Sequence, residues 1–256
     1  MKAVILAAGK GTRMRELTNE IPKPMLHVEG RPILQHIIEG LRDHGVSEFF
    51  IVTGFKAESI EDYFGDGASL GVTIRYGRQI VQDGTGKAPE LAREFVGSDS
   101  FLLTYGDILV KPDTYGRMIA RFAEDRFAGL ATTIRGEDVT KGAVLCFDSR
   151  FLLRRLVEKP TPAQLDELRG EGWLRPGEPV WYNAGIYMFT PELFSFTSKL
   201  KKSPRGEYEL TDAIIGMLNE DKVIAGLEIQ GRWVDVRDPE VLFSLERGQV
   251  GETSPA

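Results

Sequence analysis

The feature that most limits what this chain can become is its opening. An apolar run, Val4-Ile5-Leu6, breaks without a polar linker into Ala7-Ala8-Gly9-Lys10-Gly11-Thr12-Arg13-Met14. Large aliphatic residues with no alternation fit a strand buried on both faces, as in parallel sheets. Small residues and two glycines directly after such a strand let backbone N–H groups approach an anion that a bulkier loop would hold off. The rest of the chain must then supply more strands, and helices to cover both faces.

That pattern is present. Phe49-Phe50-Ile51-Val52, Val72 to Tyr76 and Phe101 to Tyr105 predict three further strands. Ile33, Leu34, Ile37, Ile38 and Leu41 recur at helical spacing behind Pro32, and Gly45 punctuates the end. Helices are also expected over Ala88 to Phe95, Asp113 to Asp125, Leu210 to Asn219 and Pro239 to Leu245. Ala128 to Ile134, Val144 to Phe147, Val180 to Phe189 and Val223 to Ile229 read as strands. The class is α/β. No stretch of linker composition and no repeat divides the chain, so it reads as a single domain, 1–250, with insertions and a frayed tail at 251–256. The Gly/Pro-rich stretch from Gly170 to Pro179 is an excursion between two strands.

Composition sharpens the picture. With 42% hydrophobic and 27% charged residues, collagen-like and disordered classes are out. The formal charge of −6 argues against a general nucleic-acid or membrane-surface binder, which needs a basic footprint. The charge is unevenly spread. From Met1 to Lys23 five basic residues face two acidic ones, a balance of +3, which leaves −9 for the remainder. A cationic entry loop on an acidic body suits a polyanionic ligand. The lone Cys146 excludes an intrachain disulfide and sits in an apolar run, Ala143 to Phe147, as a buried packing residue. The first apolar run is too short for the roughly 7–15 residues of a signal h-region or the roughly 20 of a membrane span. The expectation is a cytoplasmic protein with no membrane partner.

Two stock loop readings fail. A dinucleotide fingerprint needs glycine at the sixth position, where Met14 stands, and an acid near the end of the second strand, where Thr53-Gly54 stand. A P-loop needs Gly-Lys-Ser/Thr in register, and Lys10 follows the wrong glycine.

Leu6 to Met14, followed by Pro22-Lys23-Pro24-Met25-Leu26, resembles the signature of the sugar-1-phosphate nucleotidyltransferases, the pyrophosphorylases that make nucleotide sugars. The resemblance implies a Rossmann-like, doubly wound mixed sheet. Its nucleotide-binding part would lie at about 1–110 and its sugar-phosphate part at about 111–250. It implies that Leu6, Ala7, Ala8, Gly9, Gly11 and Thr12 line the nucleotide, while Arg13 and Lys23 hold its phosphates as catalytic cations. The reaction would be attack of a sugar 1-phosphate on the α-phosphorus of a nucleoside triphosphate, with pyrophosphate expelled. A monoester already largely dianionic at neutral pH needs no strong base, so the chemistry rests on charge neutralisation and alignment. That predicts no Ser-His-Asp apparatus. His27, His36 and His44 all fall within the first 44 residues, and His36 and His44 read as surface residues of one helix.

The same resemblance extends along the chain. Asp107, after Phe101 to Gly106, and Asp235, in Trp233-Val234-Asp235, match the carboxylates that hold Mg²⁺. Gln79 to Ala88 resembles the base-binding segment, which assigns Gln79, Gly84 and Thr85 to the nucleotide, with Gln82 a substitute for Gln79. A Gln amide can pair with uracil or thymine, so UTP or dTTP is favoured over CTP. Glu158-Lys159-Pro160 and Asn183-Ala184-Gly185 resemble the sugar-phosphate elements, and Gly142 matches a glycine that lets a hexose approach the backbone. Glucose 1-phosphate is the acceptor expected first, and a homo-oligomer is compatible with all of this.

Two departures stand out. The stretch between Pro160 and Asn183, 161–182, is longer than in compact members. With Trp173 and Trp181 it is expected to border the sugar pocket, setting acceptor specificity or building a subunit contact. The sequence also carries no hexapeptide-repeat region after Pro239 to Leu245, so acetyltransferase activity is not expected. Other readings remain: a cytidylyltransferase acting on phosphocholine or another non-sugar phosphate, favoured by an aromatic cage, and a silent nucleotide-sugar sensor, which should lack Arg13, Lys23 or one Asp. A related glycosyltransferase would carry Asp-x-Asp where this chain has Asp107-Ile108-Leu109.

Overall fold

The computed structural model describes residues 1–247, so the expected tail at 251–256 lies outside the described residues. The first half runs β1 (Lys2–Leu6), a 3-10 segment (Thr12–Thr18), the short hairpin β2 (His27–Val28) and β3 (Arg31–Pro32), α1 (Ile33–Arg42), β4 (Glu48–Thr53), α2 (Ala57–Phe64) and β5 (Thr73–Arg78). A 3-10 turn (Ala88–Ala92) leads into α3 (Arg93–Val96), then β6 (Phe101–Tyr105), β7 (Ile108–Val110) and α4 (Asp113–Ala123). The second half contributes β8 (Gly129–Ile134), β9 (Ala143–Phe147), β10 (Leu153–Glu158), α5 (Pro162–Gly170) and β11 (Trp181–Phe189). It closes with α6 (Leu193–Thr197), α7 (Leu210–Asn219), β12 (Ile224–Glu228), β13 (Trp233–Asp235) and α8 (Pro239–Glu246).

Among the described residues the main sheet has nine strands, in the order β10-β9-β11-β6-β1-β4-β5, with β8 joined to β11 and β12 to β8. β1 pairs in parallel with β4 on one side and β6 on the other. The chain thus winds outward from β1 through β4 to β5, then returns to add β6 on the opposite flank. That reversal opens a crevice at the carboxyl ends of β1 and β6, where open α/β sheets take their ligands. β11 runs antiparallel to β6, β8 and β9, so the sheet is mixed, as the α/β pattern and the resemblance together imply. Apolar clusters lie on both faces. Ile5, Ile37 and Ile51 belong to one, and Val4, Phe50 and Leu103 to the other, which is why β1 and β4 show no alternation.

The expected strands and long helices all appear, with ends shifted by a residue or two. Three details differ. The single helix expected over Ala88 to Phe95 is instead a 3-10 turn followed by the four-residue α3. The excursion at 161–182 contains a helix, α5, closed by a Thr161–Gln164 capping box behind Pro162. His36 and His44 are half-buried rather than surface residues, because each ring nitrogen meets a backbone carbonyl: Val28 O at 2.7 Å and Gly40 O at 2.9 Å. Cys146 is 2% exposed, and burial pushes its thiol up to about 11, as a packing residue should show.

Candidate active site

The loop after β1 is fixed by its neighbour. The Ala7 N–H donates to Val52 O at 2.8 Å and the Phe55 N–H to Ala8 O at 3.1 Å. This approach requires Gly54, since a Cβ there would stand 2.6 Å from Ala8 O. A glycine thus occupies the place of a dinucleotide fold's ribose-binding acid because the backbone of the β1 loop fills the space. Gly11 adopts φ +63° beneath Lys23, whose Cβ would lie 3.0 Å from an added methyl group. No atom approaches within 4 Å of the corresponding position at Gly9, which faces an open cavity.

That cavity measures about 480 Å³ and is lined by Leu6, Ala7, Ala8, Gly9 and Gly11 from the loop, with Arg13 and Lys23 beyond. Gln79, Gly84, Thr85 and Asp107 complete the expected set on its other walls, joined by Gln82. Thr12 opens the 3-10 segment, and its side chain lies outside the described residues. The Gln79 amide donates to Gly84 O at 3.0 Å, so Gln79 also holds the turn it belongs to. Gly84 has φ +112°, and its missing Cβ would sit 2.3 Å from Tyr208 O.

A second cavity, about 270 Å³, adjoins the first and shares Thr85, Tyr105, Asp107 and Glu207 with it. Gly142, Glu158, Lys159, Asn183 and Asp235 line it, so every remaining expected residue falls here. Gly142 has a reason of its own in the fold: an added Cβ would stand 2.3 Å from the Tyr182 hydroxyl. Lys159 holds φ +43°, a left-handed conformation that costs a lysine about 1 kcal/mol or more and sets its side chain on the cavity wall. Asn183 donates to the Tyr187 hydroxyl at 2.6 Å. Trp173 and Trp181, expected beside this pocket, do not line it. Trp181 packs against Phe147 and Phe151, and Trp173 against the core. The tryptophan in the wall is Trp233.

The two carboxylates come together through a ladder that no local pattern announces. β13 pairs antiparallel with β7, placing Asp235 opposite Ile108, and the Val236 N–H donates to Asp107 O at 3.0 Å. Lys23 Nζ stands 2.5 Å from Asp107 Oδ2 and 3.8 Å from Asp235 Oδ1. Burial, with Asp107 beside it, pushes the Asp235 carboxyl up to about 6 against the pull of Lys23 and Arg237. This spot already draws a cation between two hard oxygen donors. Such a pair suits Mg²⁺, which commonly takes one or two protein carboxylates and completes its shell with phosphate and water. Among the described residues no group of three or more His, Cys, Asp or Glu offers a fuller cage.

Across the second cavity, burial pushes Glu158 up to about 7, with Arg205 opposing and Glu209 adding to the rise. Arg205 bridges Glu158 at 3.4 Å and Glu209 at 2.8 Å. Arg205, Glu207, Tyr182 and Arg237 line the cavities but were not identified from sequence as binding residues.

The chain matches the model of the nucleotidyl transferase family over residues 2–248. It is 32% identical to the UTP–glucose-1-phosphate uridylyltransferase AglF of Haloferax volcanii, over 100% of this chain and 99% of that protein. It is 36% identical to the bifunctional protein GlmU of Methanocaldococcus jannaschii over 93% of this chain, and there it spans about half, 52%, of the relative's length. A Bacillus anthracis protein assigned as a glucose-1-phosphate thymidylyltransferase, solved with sucrose, superposes with a TM-score of 0.81 at 25% identity, covering 97% of this chain and 95% of that one. No helix among the described residues is long and apolar enough to cross a membrane.

Proposed function

The chain belongs to the nucleotidyl transferase family, with the sugar-1-phosphate nucleotidyltransferases, and on that footing we propose that it moves a nucleotidyl group from UTP or dTTP to a hexose 1-phosphate, glucose 1-phosphate foremost. The observation that carries this reading is the pair of adjoining cavities that meet at Thr85, Tyr105 and Asp107. One is walled by a glycine loop with Lys10, Arg13 and Lys23 around it, the other by Lys159, Glu158 and Asn183. Full-length similarity to AglF supports glucose 1-phosphate and UTP.

The sugar phosphate oxygen attacks the α-phosphorus, an O–P bond forms, and the α–β bridging bond breaks with its electrons on pyrophosphate. Lys159 and Arg205 would hold the attacking phosphate, while Glu158 and Asn183 accept and donate hydrogen bonds to sugar hydroxyls. Arg13 and Lys23 would offset charge on the triphosphate, and fixed cations in a water-poor site are worth several kcal/mol to such a transition state. Asp107 and Asp235 would hold a divalent cation, which when bound supplies further neutralisation of phosphate charge. No protein base is needed, because the attacking phosphate monoester is already largely dianionic at neutral pH.

Pyrophosphate release should be measured with four triphosphates against a panel of phosphorylated acceptors, with Mg²⁺ supplied and then chelated. Release with UTP or dTTP and glucose 1-phosphate, lost on chelation, is the expected result. Activity confined to phosphocholine, or none with any sugar 1-phosphate, would overturn the reading.

A further inference from the structure

One arginine in the cavity wall has no part in the scheme above. Arg237 lies two residues beyond Asp235, and its side chain is 20% exposed. Its Nη2 donates to Glu137 Oε2 at 2.7 Å, and its Nε stands 3.6 Å from Asp235 Oδ2. The other oxygen, Asp235 Oδ1, is the one nearest Lys23, at 3.8 Å, on the side where Lys23 meets Asp107. Each oxygen of Asp235 thus faces a different cation.

The backbone around Asp235 is already pinned. β13 pairs with β7, the Val236 N–H donates to Asp107 O at 3.0 Å, and the Arg237 N–H donates to Asp235 O at 2.8 Å. What remains undetermined is the rotation of the Asp235 carboxylate, and the guanidinium 3.6 Å from Oδ2 biases that rotation by charge attraction. Arg237 could do so only if it were itself held, and Glu137 holds it. Glu137 stands in the loop after β8, next to Gly136 at φ +85°. Asp138 then caps the Val139–Lys141 turn that delivers Gly142 to the acceptor cavity.

We propose that Arg237, braced by Glu137, is the positioning residue for Asp235. It turns one carboxylate oxygen toward Asp107 and ties that orientation to the loop bearing Gly142. The inference rests on the reading of Asp107 and Asp235 as the ligands of a divalent cation. Partners that orient metal-binding carboxylates commonly alter metal affinity 10–100-fold when removed.

The variant that separates positioning from charge at Arg237 is Glu137→Ala, because it keeps the guanidinium and removes the acceptor that braces it. Mn²⁺ binding, followed by electron paramagnetic resonance in the presence of a non-hydrolysable UTP analogue, gives the readout. Glu137→Ala and Arg237→Gln should weaken Mn²⁺ binding about 10-fold or more. Arg237→Lys should recover only part of that loss, since an ammonium cannot span both carboxylates as the planar fork does. Metal-free binding of the analogue to Glu137→Ala should stay within about twofold of the parent protein, and kcat should fall with the KM for sugar phosphate unchanged. Mn²⁺ binding by Glu137→Ala equal to that of the parent, while Asp235→Asn weakens it, would overturn the inference. Mn²⁺ binding indifferent to both Asp107→Asn and Asp235→Asn would instead remove the cation reading on which it rests.

Discussion

Glu158 should make the protein's stability depend on pH in a way that one substitution can isolate. It closes β10 with its side chain 23% exposed, and its carboxyl is pushed up to about 7 from an ordinary 4.5, mainly by burial. At about 1.4 kcal/mol for each pH unit, that difference sets roughly 3 kcal/mol against the charged form, and partial exposure reduces the figure to about 2–3 kcal/mol. Between pH 4.5 and 7 the folded protein keeps a proton that the unfolded chain releases. The native state binds more protons there, so stability falls as pH rises through the window, and the full cost persists above pH 7. Glu158→Gln removes the charge but keeps the shape, and Arg205 retains Glu209 at 2.8 Å as a partner. Urea unfolding of both proteins at pH 5, 6, 7 and 8 should find the variant about 2–3 kcal/mol more stable at pH 8, with the difference shrinking toward zero near pH 5. Asp235 is common to both proteins and cancels in the comparison, whereas the repulsion of Glu158 by Glu209 and Asp212 is lost in the variant and is part of the measured difference. A difference that does not change with pH, or a variant less stable at pH 8, would refute the reasoning.

Lys23→Met should lower pyrophosphate release by about 100-fold or more, since it removes a fixed cation from the triphosphate. It should also cost about 1–3 kcal/mol in urea unfolding, because Asp107 loses its ion pair. Gly84→Ala places a methyl group against Tyr208 O at a left-handed φ. It should destabilise the protein by more than about 1 kcal/mol and raise the KM for the triphosphate more than that for the sugar phosphate. Gln79→Ala should erode the preference for UTP or dTTP over CTP in a competition assay. Cys146 should resist a disulfide reagent at pH 8 while folded and react at one thiol per chain in urea, because burial raises its thiol to about 11.

Some elements escaped a reading of the sequence for reasons the structure supplies. α2 places only Ala57, Ile60 and Phe64 in the interior, too few apolar positions to stand out from a loop of eight residues. α5 buries Leu168 alone, and its clearest local sign is the Thr161–Gln164 capping box. β7 and β13 are three residues each, a length at which pairing rather than propensity makes a strand. Trp173 and Trp181 were expected at the sugar pocket because they lie near its motifs in sequence. The sheet turns Trp181 instead toward Phe147 and Phe151, leaving the wall to Trp233.

By itself the sequence determined whatever depends on neighbours along the chain. The glycine loop must follow a buried strand for its amides to reach an anion, and Lys23 must follow within a few turns, so Gly9, Gly11, Arg13 and Lys23 were legible together. Glu158-Lys159 and Asn183 were legible as short segments of fixed residue type. Tertiary structure alone decided which of these share a wall, because cavities form where distant strands end side by side. The antiparallel ladder of β7 and β13 brings Asp107 to Asp235, and only that ladder sets the Asp235 carboxylate between Lys23 and Arg237. The brace from Glu137 has no trace in spacing, since a hydrogen bond between residues 100 positions apart depends on the packing of the sheet and not on the order of the chain.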